Sequence, residues 1–391
     1  MKDSTKVYLY TGGWCLYFLQ GVFGERGSSL PVVLSIILVL VSFVYVFISQ
    51  PICEIRRGKV PFLILSFDLF LLMLMSSKIG YAIEYGRVTD FMIKDFQIVL
   101  TTLLPVYFYY YYAKIGTLSE SVLQRVALVF FAYLLVNYCY MYFDSSVRLG
   151  TGEITNNGGR ILLTVVPMLL FVFEKKVRVL VILGLLVCVL VMLSAKREAI
   201  IVFLVEILSF FIWKIRNTSM RGKVKIYLEL FVTVLVVFFV FYYLLENNTY
   251  FHKRVYDTMV GNVSGRDRLL PRLVYEYFVG SSELQFLIGR GTMKTWALVG
   301  NYAHNDVMEL ATCQGVVGLI FYFNLWIALF LFWKNQRDGI MKLVSFLLLI
   351  DFFFGSLFSR FYFSTYVVLF CMLGFILGTL QKEKLMDSEK K

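Results

Sequence analysis

Runs of roughly eighteen or more apolar residues recur along this chain from end to end, long enough to cross the hydrocarbon core of a bilayer as helices. In lipid a spanning segment must satisfy its own backbone hydrogen bonds, which only helices and closed barrels do. The runs here are continuous rather than alternating, so they read as helices. The composition agrees: 59% of the 391 residues are hydrophobic and 16% are charged. The expected fold is an all-α integral membrane protein, with about twelve transmembrane helices and one long extracytoplasmic loop carrying short amphipathic helices. The spans are read at about 7–23, 30–50, 60–77, 96–112, 125–143, 161–173, 177–194, 199–213, 228–246, 315–333, 341–358 and 361–380. No small-residue cleavage site followed by a soluble domain accompanies residues 7–23, so they are taken as the first span.

Orientation follows from Lys and Arg in the short loops, which concentrate on the cytoplasmic side. With the N-terminus inside, the inner segments hold Arg56, Arg57 and Lys59, then Lys175, Lys176 and Arg178, then Arg221, Lys223 and Lys225, and the Lys382 and Lys384 tail. Both termini are then cytoplasmic. Residues 1–246 hold nine spans, 247–314 form the outer loop, and 315–391 hold the last three spans and a basic tail. Positive inner loops account for most of the net charge of +12, so nucleic acid is not an expected partner. The outer loop is the exception: it carries Lys253, Arg254, Arg266, Arg268, Arg272, Arg290 and Lys294, for which topology gives no reason. Outward basic charge is either solvated or holds an anionic ligand.

Other chemistry is sparse. The six cysteines are scattered and form no CxxC pair, which reads as small buried hydrophobes. His252 and His304 are the only histidines, which excludes a His-rich metal site. Residues 266–280 have the spacing of a short amphipathic helix, with Pro271 placed in its first turn and Arg268, Arg272 and Glu276 on one face. Such a helix can lie along the outer interface and offer arginines to headgroups. His304, in Tyr302-Ala303-His304-Asn305-Asp306, stands at the mouth of the next span on the same side, and imidazole is the side chain suited to take a proton near neutral pH. Asn305 or Asp306 can cap the following helix, and Gly315 and Gly318 permit a kink or close helix contact. Ser194-Ala195-Lys196-Arg197-Glu198 joins two spans outside, where Arg197 can meet an anionic group or else pair with Glu198. Asn156-Asn157-Gly158-Gly159-Arg160 is read as a turn with Arg160 opening a span. Asp68, Glu206 and Asp351 lie within apolar spans, where carboxylates are costly and pair or line a cavity.

This pattern resembles the O-antigen polymerase and O-antigen ligase superfamily (Wzy-like) of bacterial surface polysaccharide assembly. Ser194 through Glu198 resembles its Ser-Arg-Gly turn, although Glu198 stands where the family has glycine. Ser264-Gly265-Arg266 followed by Leu287-Ile288-Gly289-Arg290-Gly291 resembles its Gly-Arg … Gly-x-Gly loop. Ala303-His304-Asn305 with Leu310, Gly315 and Gly318 resembles its His-Asn-x-x-Leu … Gly-x-x-Gly helix. The resemblance implies a metal-independent glycosyltransferase, with no cofactor, on the outer face of the bacterial cytoplasmic membrane. The donor it implies is an oligosaccharide on a polyprenyl diphosphate; membrane lipid, a flippase and a chain-length regulator are the implied partners. It implies Arg197 and Arg266 as diphosphate ligands and His304 as base. Arg160, Arg268, Arg272, Arg290 and Asn305 are secondary substrate-binding candidates. Arginines hold a diphosphate by charge-assisted bidentate bonds and stabilise it as it leaves. Polymerase and ligase share this layout, and the polymerase is favoured. The rival from another class is a transporter or flippase of an anionic substrate, with Asp68, Glu206 and Asp351 carrying protons; a scaffold in an assembly complex is the third.

Overall fold

The structure, a computed structural model, describes residues 3–23, 29–50, 60–85, 97, 99–143, 157–260, 266–292, 294–358 and 366–389. Among the described residues there is no strand, and the fold is all-helical. The helices run α1 (Asp3–Phe23), α2 (Ser29–Ser49), α3 (Phe62–Tyr85), α4 (Pro105–Lys114), α5 (Glu120–Phe143), α6 (Asn157–Leu163), α7 (Val166–Val172), α8 (Val177–Leu193), α9 (Arg197–Arg216) and α10 (Met220–Asn247). Four short helices follow: α11 (Thr249–Met259), α12 (Arg266–Phe278), α13 (Glu283–Ile288) and α14 (Lys294–Val299). The chain then returns to long helices: α15 (Asp306–Lys334), α16 (Ile340–Phe358) and α17 (Val367–Glu389).

Among the described residues, four segments are long and apolar enough to cross a membrane: Glu120–Tyr142, Met220–Asn247, Asp306–Lys334 and Ile340–Phe358. Val33–Ser49, Phe62–Ser77, Asn157–Val172 and Val177–Leu193 are shorter apolar helices. The surface tells the same story as the composition. Along α10, Leu228, Phe231, Val234, Phe238 and Phe239 are exposed, while Ile226 and Leu244 are the buried positions. A helix apolar all round and unburied by protein belongs in lipid.

Several expected boundaries shift for local reasons. The expected span 161–173 divides into α6 and α7, because Pro167 cannot donate a backbone hydrogen bond and starts a new helix within its first turns. Pro105 likewise opens α4 after residues 99–103, within the expected span 96–112. The expected turn at 156–160 is corrected: Asn157 to Arg160 form the first turn of α6, and Asn156 lies outside the described residues. Pro271 falls inside α12 rather than in its first turn. The helix expected from residue 315 begins at Asp306, capped by Asn305, whose Oδ1 accepts from the Met308 N–H at 3.1 Å.

The tyrosine-rich α4 lies at the centre of the bundle, and the hydroxyls of Tyr107, Tyr109 and Tyr112 bond to other helices. Tyr109 bonds Thr11 at 2.7 Å, Tyr112 bonds Tyr45 at 2.7 Å, and Phe108 stacks on Tyr10 with centroids 3.7 Å apart. α17 packs along α4 through Gly374 and Gly378. A Cβ at either would stand 2.3 Å from a carbonyl oxygen, of Val106 and of Tyr110 respectively. Glycines four apart thus let the two backbones touch, the small-residue packing familiar between helices in membranes. Asp68, on α3, accepts hydrogen bonds from the hydroxyl of Tyr107 and, at 3.2 Å, from Gln50.

Candidate functional site

The first group of candidates collects where α6 meets the turn between α8 and α9. Ala195 takes a left-handed conformation (φ 51°), sparsely populated for a residue with a Cβ, and turns the chain sharply into α9. The turn is fastened from both sides. The Ser194 hydroxyl donates to the Val191 carbonyl at 2.6 Å, and Gly159 of α6 leaves it room, since a Cβ there would meet that hydroxyl at 2.2 Å. Lys196 reaches Asn157 at 3.3 Å and Glu198 at 3.7 Å. Arg160, expected among the substrate-binding arginines, is 3% exposed and held wholly by protein groups. Its guanidinium bonds Glu198 at 3.0 Å, the Asp351 carboxylate at 2.5 Å and the Asp351 carbonyl at 2.7 Å, and it lies over the Tyr366 ring at 5.2 Å. Glu198 therefore binds Arg160, and that leaves Arg197 to point elsewhere.

Arg197 reaches into the 247–314 segment and donates to the Thr258 hydroxyl of α11 at 3.0 Å. Thr258 in turn bonds the Arg254 carbonyl one helical turn earlier, so Arg254 shares that face. Partial burial, then the like charge of Arg254, lower the Arg197 pKa from its ordinary value, and Asp257 offsets part of this. Two guanidiniums are thus gathered at the N-terminal end of α9. Asn248 caps α11 and fixes it after α10, its Oδ1 accepting from the Phe251 N–H at 2.9 Å.

The second group surrounds the head of α15. Gly315 interrupts this helix (φ 64°, ψ −158°). Into the interruption fits the loop after α13: the Arg290 N–H donates to the Thr312 carbonyl at 3.0 Å and the Gly291 N–H to the Cys313 carbonyl at 2.9 Å. The approach is backbone to backbone. A Cβ at Gly289 would stand 2.3 Å from Cys313 main-chain atoms, and one at Gly315 would stand 2.5 Å from the Gly289 nitrogen. Ser77 of α3 adds a third side, with Thr292 at 3.2 Å and Gln314 at 3.1 Å. The Arg290 side chain turns back on α12, donating to the Glu276 carbonyl at 2.6 Å and to Ser281 at 3.2 Å, with the Glu276 carboxylate at 3.3 Å. It thereby satisfies one of the open C-terminal carbonyls of that helix, that of Glu276.

His304 occupies the turn before α15 and is left-handed (φ 51°), like Ala195 in the other group. Glu309, only 4% exposed, holds that turn. One oxygen accepts from Thr295 of α14 at 2.7 Å and the other from the Ala303 N–H at 2.9 Å. Glu309 was not anticipated, although a carboxylate one turn into an apolar helix is itself a signal that it must be paired. Arg254 was named only as one basic residue of the loop, and Thr258 not at all, because only the fold brings α11 against the start of α9. Arg268 and Arg272 lie exposed on α12. Ser264 and Gly265 lie outside the described residues, as does the side chain of Arg266.

The structure therefore joins the 157–160 and 194–198 motifs in one cluster, and the 289–291 and 303–315 motifs in another. α16 touches both. Its Asp351 holds Arg160, and its Ser356 shares the hydroxyl of Tyr322, which also bonds Asp306 at the head of α15. No protein-family model matches this chain, and no curated protein matches it.

Proposed function

We propose that this protein is a glycosyltransferase of the polysaccharide polymerase type, embedded in the bacterial cytoplasmic membrane by about twelve helices with both termini inside. Its site would face outward, with a polyprenyl-diphosphate-linked oligosaccharide as donor and a second lipid-linked glycan as acceptor. The observation that carries this reading is the meeting of Arg197 with the Arg254–Thr258 face of α11. Like charges gathered at the end of an apolar helix suit an anion whose hydrophobic tail lies in the bilayer.

In this reading Arg197, Arg254 and Arg266 bind the diphosphate. The acceptor hydroxyl attacks the anomeric carbon, the bond from that carbon to the diphosphate oxygen breaks, and the arginines stabilise the departing charge. His304 receives the acceptor proton. Asn305 orients the His304 turn by capping α15, while Arg160 and Arg290 position rather than touch substrate. Arg268 and Arg272 face outward, where glycan or headgroups would lie. The chemistry needs no metal, since arginines supply the charge and imidazole the proton transfer. The transporter reading finds two of its three carboxyls engaged within the protein: Asp68 is hydrogen-bonded by Tyr107 and Gln50, and Asp351 is paired with Arg160.

The test is glycan transfer by purified protein with a lipid-diphosphate oligosaccharide in the presence of a chelator. Longer glycans are expected from wild type, with at least about a hundredfold loss in His304→Ala and Arg197→Ala. Polymer formed from lipid-linked repeats alone would mark a polymerase, and transfer only to a lipid core or protein a ligase. Undiminished transfer by both variants, each well folded, would remove this site from consideration.

A further inference from the structure

Below the Lys196–Arg197 turn, a chain of ionisable groups descends into the bundle. Lys196 contacts Glu198 at 3.7 Å, Glu198 contacts Arg160 at 3.0 Å, and Arg160 contacts Asp351 at 2.5 Å. The next group is Glu206, fully buried on α9 and roughly 13 Å along the helix from Arg197, at 1.5 Å per residue. Its carboxyl faces that of Asp351 within hydrogen-bond reach. Among the described residues no N–H or O–H of another group reaches either oxygen of Glu206, or Oδ2 of Asp351. Among the described residues, α9 brings Glu198 and Glu206, α16 brings Asp351, α6 brings Arg160, and Tyr366, just before α17, brings its hydroxyl. α7, packed on both α9 and α16, is wholly apolar. Lys196 and Arg160 thus face three carboxyls, and the set is neutral if one carboxyl holds a proton. Two ionised carboxylates in contact, without a donor between them and away from water, would repel strongly.

We propose that Glu206 is a protonated carboxylic acid in the folded protein, donating its proton to Asp351 Oδ2 and so clasping α9 to α16 inside the membrane. Asp351 is the carboxylate of the pair, because Arg160 already binds its other oxygen. The ligand of this site is a proton, and the clasp lies directly beneath the turn that carries Arg197. The site is therefore a positioning device for that arginine as well as a buried proton store. Because Arg160 cannot release a proton, the pair has no relay outward through the cluster, so the proton exchanges slowly.

The test is infrared spectroscopy of the full chain in lipid nanodiscs. Wild type is expected to show the carbonyl band of a protonated carboxylic acid, shifting slowly in deuterium oxide. The band should persist in Asp68→Asn and vanish in Glu206→Gln. Glu206→Gln keeps a donor toward Asp351 and should retain the wild-type thermal midpoint, whereas Glu206→Ala should lower it. Absence of the band in wild type, or its full survival in Glu206→Gln, overturns the proposal. If Glu206→Gln fails to fold, carbon-13 labelling of glutamate carboxyls in the wild-type chain decides the matter: a band unmoved by the label overturns it. None of these readings depends on glycan transfer, so this proposal and the transferase assignment can fail separately.

Discussion

Arg160, Glu309 and His304 show how differently single polar residues can serve one protein. Arg160 holds two helices through their carboxylates, so Arg160→Ala leaves Asp351 and Glu198 buried without their cation. A loss of about 3–5 kcal/mol in unfolding free energy is expected, which a denaturant titration in detergent would read. Glu309→Ala strips partners from the Ala303 N–H and the Thr295 hydroxyl. It is expected to cost about 2–4 kcal/mol and to release the left-handed His304 turn, visible as faster amide exchange around residue 303. In the proposed transferase His304→Ala, by contrast, should leave the thermal midpoint unchanged while cutting transfer at least about a hundredfold. The sequence made His304 and Arg197 visible because each stands in a polar run beside an apolar helix. It ranked Arg160 and Arg290 second but still as substrate ligands, because burial and pairing depend on partners far away in the chain: Asp351 for one, the end of α12 for the other.

Among the elements, α15 and its neighbours were the most legible. Gly315 was expected to permit a kink, and the structure places one there. What the sequence could not supply was the occupant of the kink, the Gly289–Gly291 loop, since a backbone-to-backbone contact leaves no trace in side-chain pattern. Both glycines have positive φ, so Gly289→Ala and Gly315→Ala should each cost about 2–4 kcal/mol, from conformation and overlap together. Thermal unfolding followed by tryptophan fluorescence would measure it. The same reasoning applies where α17 rides on α4. Gly374→Leu should separate these helices and reduce the yield of folded protein, while Gly339→Ala, with nothing within 4 Å, should be silent.

At the scale of the whole molecule, the continuous apolar runs made an all-helical membrane architecture readable at once. The precise set of crossings was less so, because prolines at 105 and 167 divide runs that hydropathy treats as unbroken. If the topology is as proposed, an impermeant thiol reagent applied to intact cells should label a cysteine placed at Lys253 and spare one placed at Lys384. Transfer should also proceed unchanged when the membrane potential is collapsed, the outcome that separates a transferase from a transporter. The clasp between the Gly289–Gly291 loop and α15 bears on how such a protein can diversify. Main-chain atoms make the bond, so most side chains of the 249–299 segment are released from the duty of holding it in place. Library mutagenesis of residues 249–299 should therefore find wide tolerance on the exposed faces of α11 to α14, with intolerance confined to a few anchoring positions. Such a surface is free to change its residues while its seat against α15 stays the same.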